Sequence, residues 1–437
     1  MDYSKIRVLM LGWEFPPLVT GGLGPASYGL ATALASFTNL RIILPRSDVN
    51  FKMKKVNIIG LNHLDFDENT SDLVIPDFKW FLATENITTE TEEKQPEVRI
   101  AFKKREVSGS ELKSLFDDPD SYGPNIMRKV QAYAEVVEQL TGLIEFDVIH
   151  AQDWMTYPAA IRLKRKTSKP LLVHVHSLET DRAHPEARNK VYYIEREGMI
   201  HADRVLPVSD YTKHSIADYY GINATKIFPV YNAIDTTEAF HEARNDEEKR
   251  ILFLGRITRQ KGPKYLLETM VKLCKRMNKV KFCIAGTGDL LETLRLEVAN
   301  EGITDHAEFT GFVKKDKVQG LLASADAYFM PSVSEPFGLS ALEAAQFNVP
   351  CVISKQSGVS EVLHNVLKAD FWDTDKLANY LYAVLNYNGL RQTMTRLTSI
   401  DLKNISWDNS AREVLKSYKH VLHREEEQRQ SDESVGL

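Results

Sequence analysis

The chain has 437 residues, 43% hydrophobic and 26% charged, which is enough apolar material for two or three packed domains of a soluble protein. Its net charge of −5 speaks against a nucleic-acid binder, which presents a basic surface. Three cysteines without a Cys-x-x-Cys pair fit a reducing, cytoplasmic setting; the first fifteen residues carry too short an apolar stretch for a signal peptide, and no run of about 18 apolar residues could span a membrane.

The first half opens with an apolar run, residues 6–11, which ends at Gly12 and predicts a buried strand. Thr20-Gly21-Gly22-Leu23-Gly24-Pro25 follows, ahead of a helical pattern over residues 24–36. Glycines there let backbone N–H groups approach an anion, and the helix start adds a favourable dipole. The Gly-x-Gly-x-x-Gly spacing of dinucleotide-binding proteins is absent. A second strand is expected at residues 42–44 and a helix at 126–142, while residues 84–97, acidic and threonine-rich, read as a mobile loop.

The strand beginning at Val148 ends in a polar run, His150-Ala151-Gln152-Asp153-Trp154. Asp153 can hydrogen-bond a sugar and Trp154 can stack on one; core packing is the other reading of Trp154. Arg162-Leu163-Lys164-Arg165-Lys166 reads either as a solvated helix end or as a patch for an anionic membrane surface. The next strand, residues 171–173, runs into His174-Val175-His176-Ser177-Leu178-Glu179-Thr180-Asp181-Arg182. Histidines two apart share one side of a regular strand, so a metal pair and plain interior packing are both open, although no third ligand presents itself. Residues 205–208 form the last strand of this half, and a polar connection over 231–250 places a boundary near residue 235.

The alternation of short apolar strands with helices restarts at residues 251–254 and continues with strands at 281–285, 327–330 and 350–353. This pattern predicts parallel, doubly wound sheets, which bind ligands at the carboxyl ends of their strands. Gly255-Arg256-Ile257-Thr258-Arg259-Gln260-Lys261-Gly262-Pro263 follows the first of these strands. An arginine and a lysine at a strand end can neutralise a leaving diphosphate without a metal; a solvated basic turn is the alternative. Gly286-Thr287-Gly288-Asp289 and Gly311-Phe312-Val313 end later strands. The most informative segment is Ser334-Glu335-Pro336-Phe337-Gly338-Leu339-Ser340-Ala341-Leu342-Glu343. Its Pro-Phe-Gly break sets one glutamate in a loop and the other one turn into a helix, with loop N–H groups available to a phosphate. One carboxylate can bind sugar hydroxyls and the other a second polyol such as ribose. A final helix is expected at residues 409–423, and the charged, Gln/Ser-rich residues 424–437 read as disordered.

These motifs resemble those of retaining GT-B glycosyltransferases, the class that includes bacterial glycogen synthases and the group 1 transferases. The resemblance implies two Rossmann-like domains, residues 1–234 and 235–408, facing across a cleft, with the helix 409–423 crossing back to the first. It implies that His176, Glu335, Arg256 and Lys261 are the catalytic residues. Gly21, Gly22, Gly286, Val313, Phe337, Gly338, Leu339 and Glu343 would line the donor, with Glu343 on the ribose, and Asp153 and Trp154 would meet the acceptor. The donor would be a UDP- or ADP-linked hexose, glucose by preference, with no further cofactor and no metal. Gln152 stands where the glycogen-synthase run has a second histidine, and Val19 where bacterial glycogen synthases carry a lysine before the paired glycines. An α-glucan acceptor is the expectation; a surface-polysaccharide or lipid transferase with peripheral membrane contact, and a non-catalytic sugar-binding protein, are the alternatives.

Overall fold

The computed structural model describes residues 6–66, 72–75, 98–100, 108–235 and 248–435. Among the described residues the first domain carries β1 (Arg7–Leu11), β2 (Asn39–Leu44), β3 (Val56–Gly60), β4 (Asp65–Phe66), β5 (Leu73–Ile75), β6 (Val98–Ile100), β7 (Val148–Gln152), β8 (Leu171–Val175) and β9 (Arg204–Pro207). The second adds β10 (Lys249–Leu254), β11 (Val280–Ala285), β12 (Ala307–Gly311), β13 (Ala327–Met330), β14 (Cys351–Ser354) and β15 (Leu367–Ala369). Two six-stranded sheets result, ordered β3-β2-β1-β7-β8-β9 and β12-β11-β10-β13-β14-β15. Every pairing within them is parallel.

Each sheet reverses its strand order once, between β1 and β7 and between β10 and β13, the Rossmann arrangement that opens a crevice at the carboxyl ends of those strands. The strands form where the sequence is apolar on both faces: β7 and β8 are buried at every residue, as a sheet covered by helices on both sides requires. A small antiparallel sheet, β4-β5-β6, lies between β3 and β7 and was not foreseen. The acidic stretch 84–97 lies outside the described residues.

The last helix runs from Trp407 to Val435. Ala411, Val414, Leu415, Tyr418, Val421 and Leu422 repeat at helical spacing and are buried against Leu30, Ala31 and Leu34 of the helix Leu23–Leu34 and Leu40 and Ile42 of β2. The approach is close enough that a Cβ on Gly29 would fall 2.1 Å from the Trp407 indole, so only glycine fits there. Full burial of a leucine-sized side chain stabilises by about 1.5–3 kcal/mol, so this stripe binds the end of the chain to its beginning. The helix also corrects the expected stop at residue 423: the backbone stays helical through Val435. The Glu-, Gln- and Arg-rich sequence there has high intrinsic helix propensity and needs no apolar face to extend a helix already nucleated by packing.

Cys274, Cys283 and Cys351 are free and buried. Among the described residues no helix is long and apolar enough to cross a membrane.

Candidate active site

Gly255–Gly262 leaves β10, and residues 331–338 leave β13, on either side of the second sheet's switch point. Gly262 has φ +71, and a Cβ there would lie 2.1 Å from the Pro331 carbonyl oxygen; glycine lets the two loops touch. Val333 N donates to Gln260 O at 2.9 Å, which ties them further. Glu335 is 6% exposed. Its backbone N donates to Gln356 O at 2.9 Å and its carbonyl accepts from Gly358 N at 2.9 Å, bridging it to the loop after β14. The structure brings Lys261 and Glu335 together: Lys261 Nζ forms a short ion pair with Glu335 Oε2, which also accepts from Ser332 Oγ at 3.3 Å. Arg256 is exposed at the same loop.

Gly338 caps the helix Leu339–Gln346, with φ 111. Phe337 is buried against Tyr231, while Leu339 and the half-buried Glu343 lie on the helix itself. A methyl group on Gly22 would stand 3.9 Å from Leu339 Cδ1, so the glycine loop of one domain faces this helix start across the cleft. Gly286 donates its backbone N to Gly311 O at 2.8 Å; beside it Val313 is partly buried and Phe312 is 71% exposed.

The glycine loop holds an acceptor that sequence reasoning missed. The buried Glu14 carboxylate accepts from Thr20 N, from Thr20 Oγ1 at 2.6 Å and from Gly21 N at 3.0 Å. Tyr122 Oη donates to its other oxygen at 3.1 Å. Burial drives the Tyr122 phenol far above its usual range, Glu14 and Asp153 add to the rise, and Arg256 opposes it. Tyr122 of the first domain therefore lies in the field of Arg256 of the second. Glu14 belongs to the Trp-Glu-Phe-Pro-Pro run before the glycines, and a buried glutamate before an amide-rich loop was the available signal. Val19 packs on the helix start, 2.3 Å from where a Cβ of Gly24 would stand.

His176 lies just past the end of β8, half-buried. Its Nε2 meets Gln152 Oε1 at 2.8 Å, and its ring stacks on His174 at 4.7 Å. His174 stacks in turn on His150 at 5.4 Å, giving a column of three imidazoles. Burial lowers the pKa of His150 and His176 to about 3 and holds that of His174 well below its ordinary value, so all three are neutral. Hydrogen bonds run within the column, between His150 Nε2 and His174 Nδ1 at 3.3 Å, and from the column to Gln152.

Asp153 ends β7 with φ 63, a backbone conformation rarely adopted outside glycine. It is 5% exposed and its Oδ1 has no partner. Burial pushes its carboxyl up to about 6 against the pull of Arg182 and the amides of Trp154 and His176. Trp154, open to either sugar stacking or core packing, is 8% exposed and belongs to the first domain's core cluster. Beneath this loop Arg182 bonds Ser177 Oγ and Glu195 Oε1, both at 2.5 Å, and holds the segment after β8 in place.

The cleft is bridged by polar contacts. Ser334 Oγ donates to Asp181 Oδ1 at 2.5 Å and pairs with Tyr211 Oη at 3.0 Å. Ser209 Oγ donates to Pro336 O at 2.6 Å. The Glu361 carboxylate accepts Asp210 N at 2.9 Å and Tyr211 N at 2.6 Å, so one domain caps a helix, Asp210–Tyr220, of the other.

The basic run 162–166 is engaged within the fold. Lys164 bonds Asp203 at 2.7 Å, Arg165 His201 at 3.1 Å, Lys166 the Glu138 carbonyl at 2.7 Å and Arg162 the Glu138 carboxylate at 3.4 Å. These contacts place the basic residues at the carboxyl end of the helix Tyr157–Thr167, where they favour its dipole.

Two facing Rossmann domains with a basic strand end and a glutamate–helix loop in the cleft define a GT-B glycosyltransferase. The chain belongs to that family: residues 7–228 match the starch synthase catalytic domain and residues 235–396 match glycosyl transferases group 1. It is 27% identical to an uncharacterized glycosyltransferase of Methanocaldococcus jannaschii, over 95% of this chain and 99% of that one. It is 25% identical to the glycogen synthase of Mycobacterium tuberculosis, over 82% and 80% of the two chains. Its fold is similar to the catalytic domain of starch synthase IV from Arabidopsis thaliana, bound to ADP and acarbose, with a TM-score of 0.69 at 16% identity over 96% of this chain and 100% of that one.

Proposed function

We propose that the protein is a retaining transferase that moves glucose from a UDP- or ADP-linked donor to a hydroxyl of an α-glucan. The observation that carries this reading is the convergence of Lys261 and Glu335, with Arg256 on the same loop as Lys261, at the carboxyl ends of β10 and β13. Likeness to a glycogen synthase over most of the chain supports the acceptor class. Arg256 and Lys261 stabilise the charge that develops on the departing diphosphate, so no metal is needed for that role. Glu335 and His176 position the sugar, Glu343 holds the ribose, and Asp153 meets the acceptor. The diphosphate leaves from the face that the acceptor enters and takes up the acceptor's proton, which retains the anomeric configuration.

Incubation with radiolabelled UDP- and ADP-hexoses and malto-oligosaccharides, with NMR assignment of the new linkage, tests each element. An α-linked glucose with one base preferred is expected. A β-linked product would overturn retention, and incorporation into a non-glucan acceptor alone would overturn the acceptor class.

A further inference from the structure

Gln152, His150 and Tyr418 form a hydrogen-bonded chain that no assigned role explains. Tyr418 is buried on the crossing helix Trp407–Val435, and its hydroxyl meets His150 Nδ1 at 2.6 Å. Gln152 Nε2 lies 3.2 Å from His150 Nε2, and Gln152 Oε1 lies 2.8 Å from His176 Nε2. We propose that Gln152 is a positioning residue that fixes the tautomer and ring plane of His176, and that the chain is anchored by Tyr418 on the last helix. The functional part of this inference rests on His176 facing the transferred sugar.

An amide donates only through nitrogen and accepts only through oxygen, so one orientation of Gln152 sets the polarity of the chain. Gln152 donates to His150 Nε2, which puts the His150 proton on Nδ1, facing Tyr418. Gln152 accepts from His176, which puts that proton on Nε2. His174 Nδ1, 3.3 Å from His150 Nε2, then donates to the same lone pair. What remains without a partner is His174 Nε2 and His176 Nδ1, both buried. In this polarity both are bare acceptors. The reverse polarity would leave two buried N–H groups stranded, and orphaned donors are the rarer and costlier case. His176 Nδ1 is thereby kept as a bare acceptor at the end of β8. A histidine at position 152 could titrate and reverse this arrangement; glutamine cannot.

The test is NMR of protein labelled with 15N-histidine, with His176 assigned by comparison with His176→Asn. Wild type is expected to show His176 protonated at Nε2 only. Tyr418→Phe removes the acceptor of the His150 proton far from the cleft, and is expected to reverse the chain and move the His176 proton to Nδ1. Gln152→Ala and Gln152→Glu are expected to lower kcat roughly tenfold or more, as misplacement of a positioned group does, with the Kd for nucleoside diphosphate unchanged. An Nδ1-protonated His176 in wild type, or a Tyr418→Phe protein with wild-type tautomer and kcat, would overturn the inference. A tautomer that responds to Tyr418→Phe in a protein that transfers no sugar would sustain it while sinking the transferase reading.

Discussion

Lys261 and Glu335, 74 positions apart in sequence, hold each other as an ion pair in the cleft. The cation expected to meet the diphosphate is thus engaged by the carboxylate expected to meet the sugar. On the roles proposed above, donor binding would divide them, with Lys261 turning to phosphate and Glu335 to hydroxyls. The pair balances the buried Glu335 carboxylate with the half-buried Lys261 ammonium, and on the proposed roles makes Glu335 a competitor of the diphosphate.

This competition predicts opposite effects for two glutamates of one segment. Glu335→Gln should tighten nucleoside diphosphate binding about tenfold, roughly 1.4 kcal/mol, by releasing Lys261, while transfer falls. Glu343→Gln should weaken the same ligand by about 1–3 kcal/mol, the value of a hydrogen bond to a charged group. Calorimetric titration with UDP and ADP separates the two; equal losses in both variants would show the roles to be misassigned.

Lys261→Ala and Arg256→Ala should each lower kcat/KM by roughly 100-fold or more, since each removes charge from the leaving-group side. Their stabilities should differ. Lys261→Ala leaves Glu335 buried without its cation and should melt earlier, whereas Arg256 is exposed and its loss should leave the melting temperature near wild type. Wild-type kinetics in both variants would remove the phosphate assignment.

The elements legible in the sequence were those whose chemistry is local. Strands β1, β7, β8, β10, β11 and β13 are apolar runs buried on both faces, and the Pro-Phe-Gly break marked a helix start that the structure has at Leu339. Strands β4, β5 and β6 are two or three residues long and lack a pattern that periodicity could detect. Tyr122 on Glu14 and Ser334 on Asp181 depend on how distant segments meet, and no spacing encodes that. Trp154 was ambiguous for a definite reason: a tryptophan at a strand end serves a sugar or a core equally well, and the structure places it in the core cluster.

Acid should weaken the fold through the imidazole column. His150 and His176 titrate near pH 3 when folded and near 6.5 when unfolded, so the stability they contribute is complete above pH 6.5 and is lost as pH falls towards 3. Asp153, Asp181 and Glu195 act in the opposite sense. Burial raises their carboxyls, so their contribution is lost as pH rises through the raised values, and the whole-protein profile mixes both trends. A difference measurement isolates one group. The stability gap between wild type and His150→Gln should shrink by up to about 1.4 kcal/mol per pH unit between pH 6.5 and 3, read by urea unfolding. A gap independent of pH would mean that His150 is not held neutral.

Glu361→Ala should loosen the two domains. It removes the carboxylate that caps Asp210–Tyr220 from across the cleft, a loss of about 1 kcal/mol for a helix cap, all of it drawn from the closed arrangement. Small-angle X-ray scattering should show a larger radius of gyration than wild type. An unchanged radius together with an unchanged melting temperature would show that the cap does not hold the cleft shut.

The helix Trp407–Val435 has a consequence for biosynthesis. The first domain leaves the ribosome with the faces of Leu30, Ala31 and Leu34 uncovered, because the side chains that seal them, Leu415 and Tyr418 among them, are made only after the whole second sheet. At about 5–20 residues per second that surface stays open for roughly ten to forty seconds. A ribosome stalled after residue 396 would therefore present a first domain with an open apolar stripe, a substrate for chaperones rather than a finished domain.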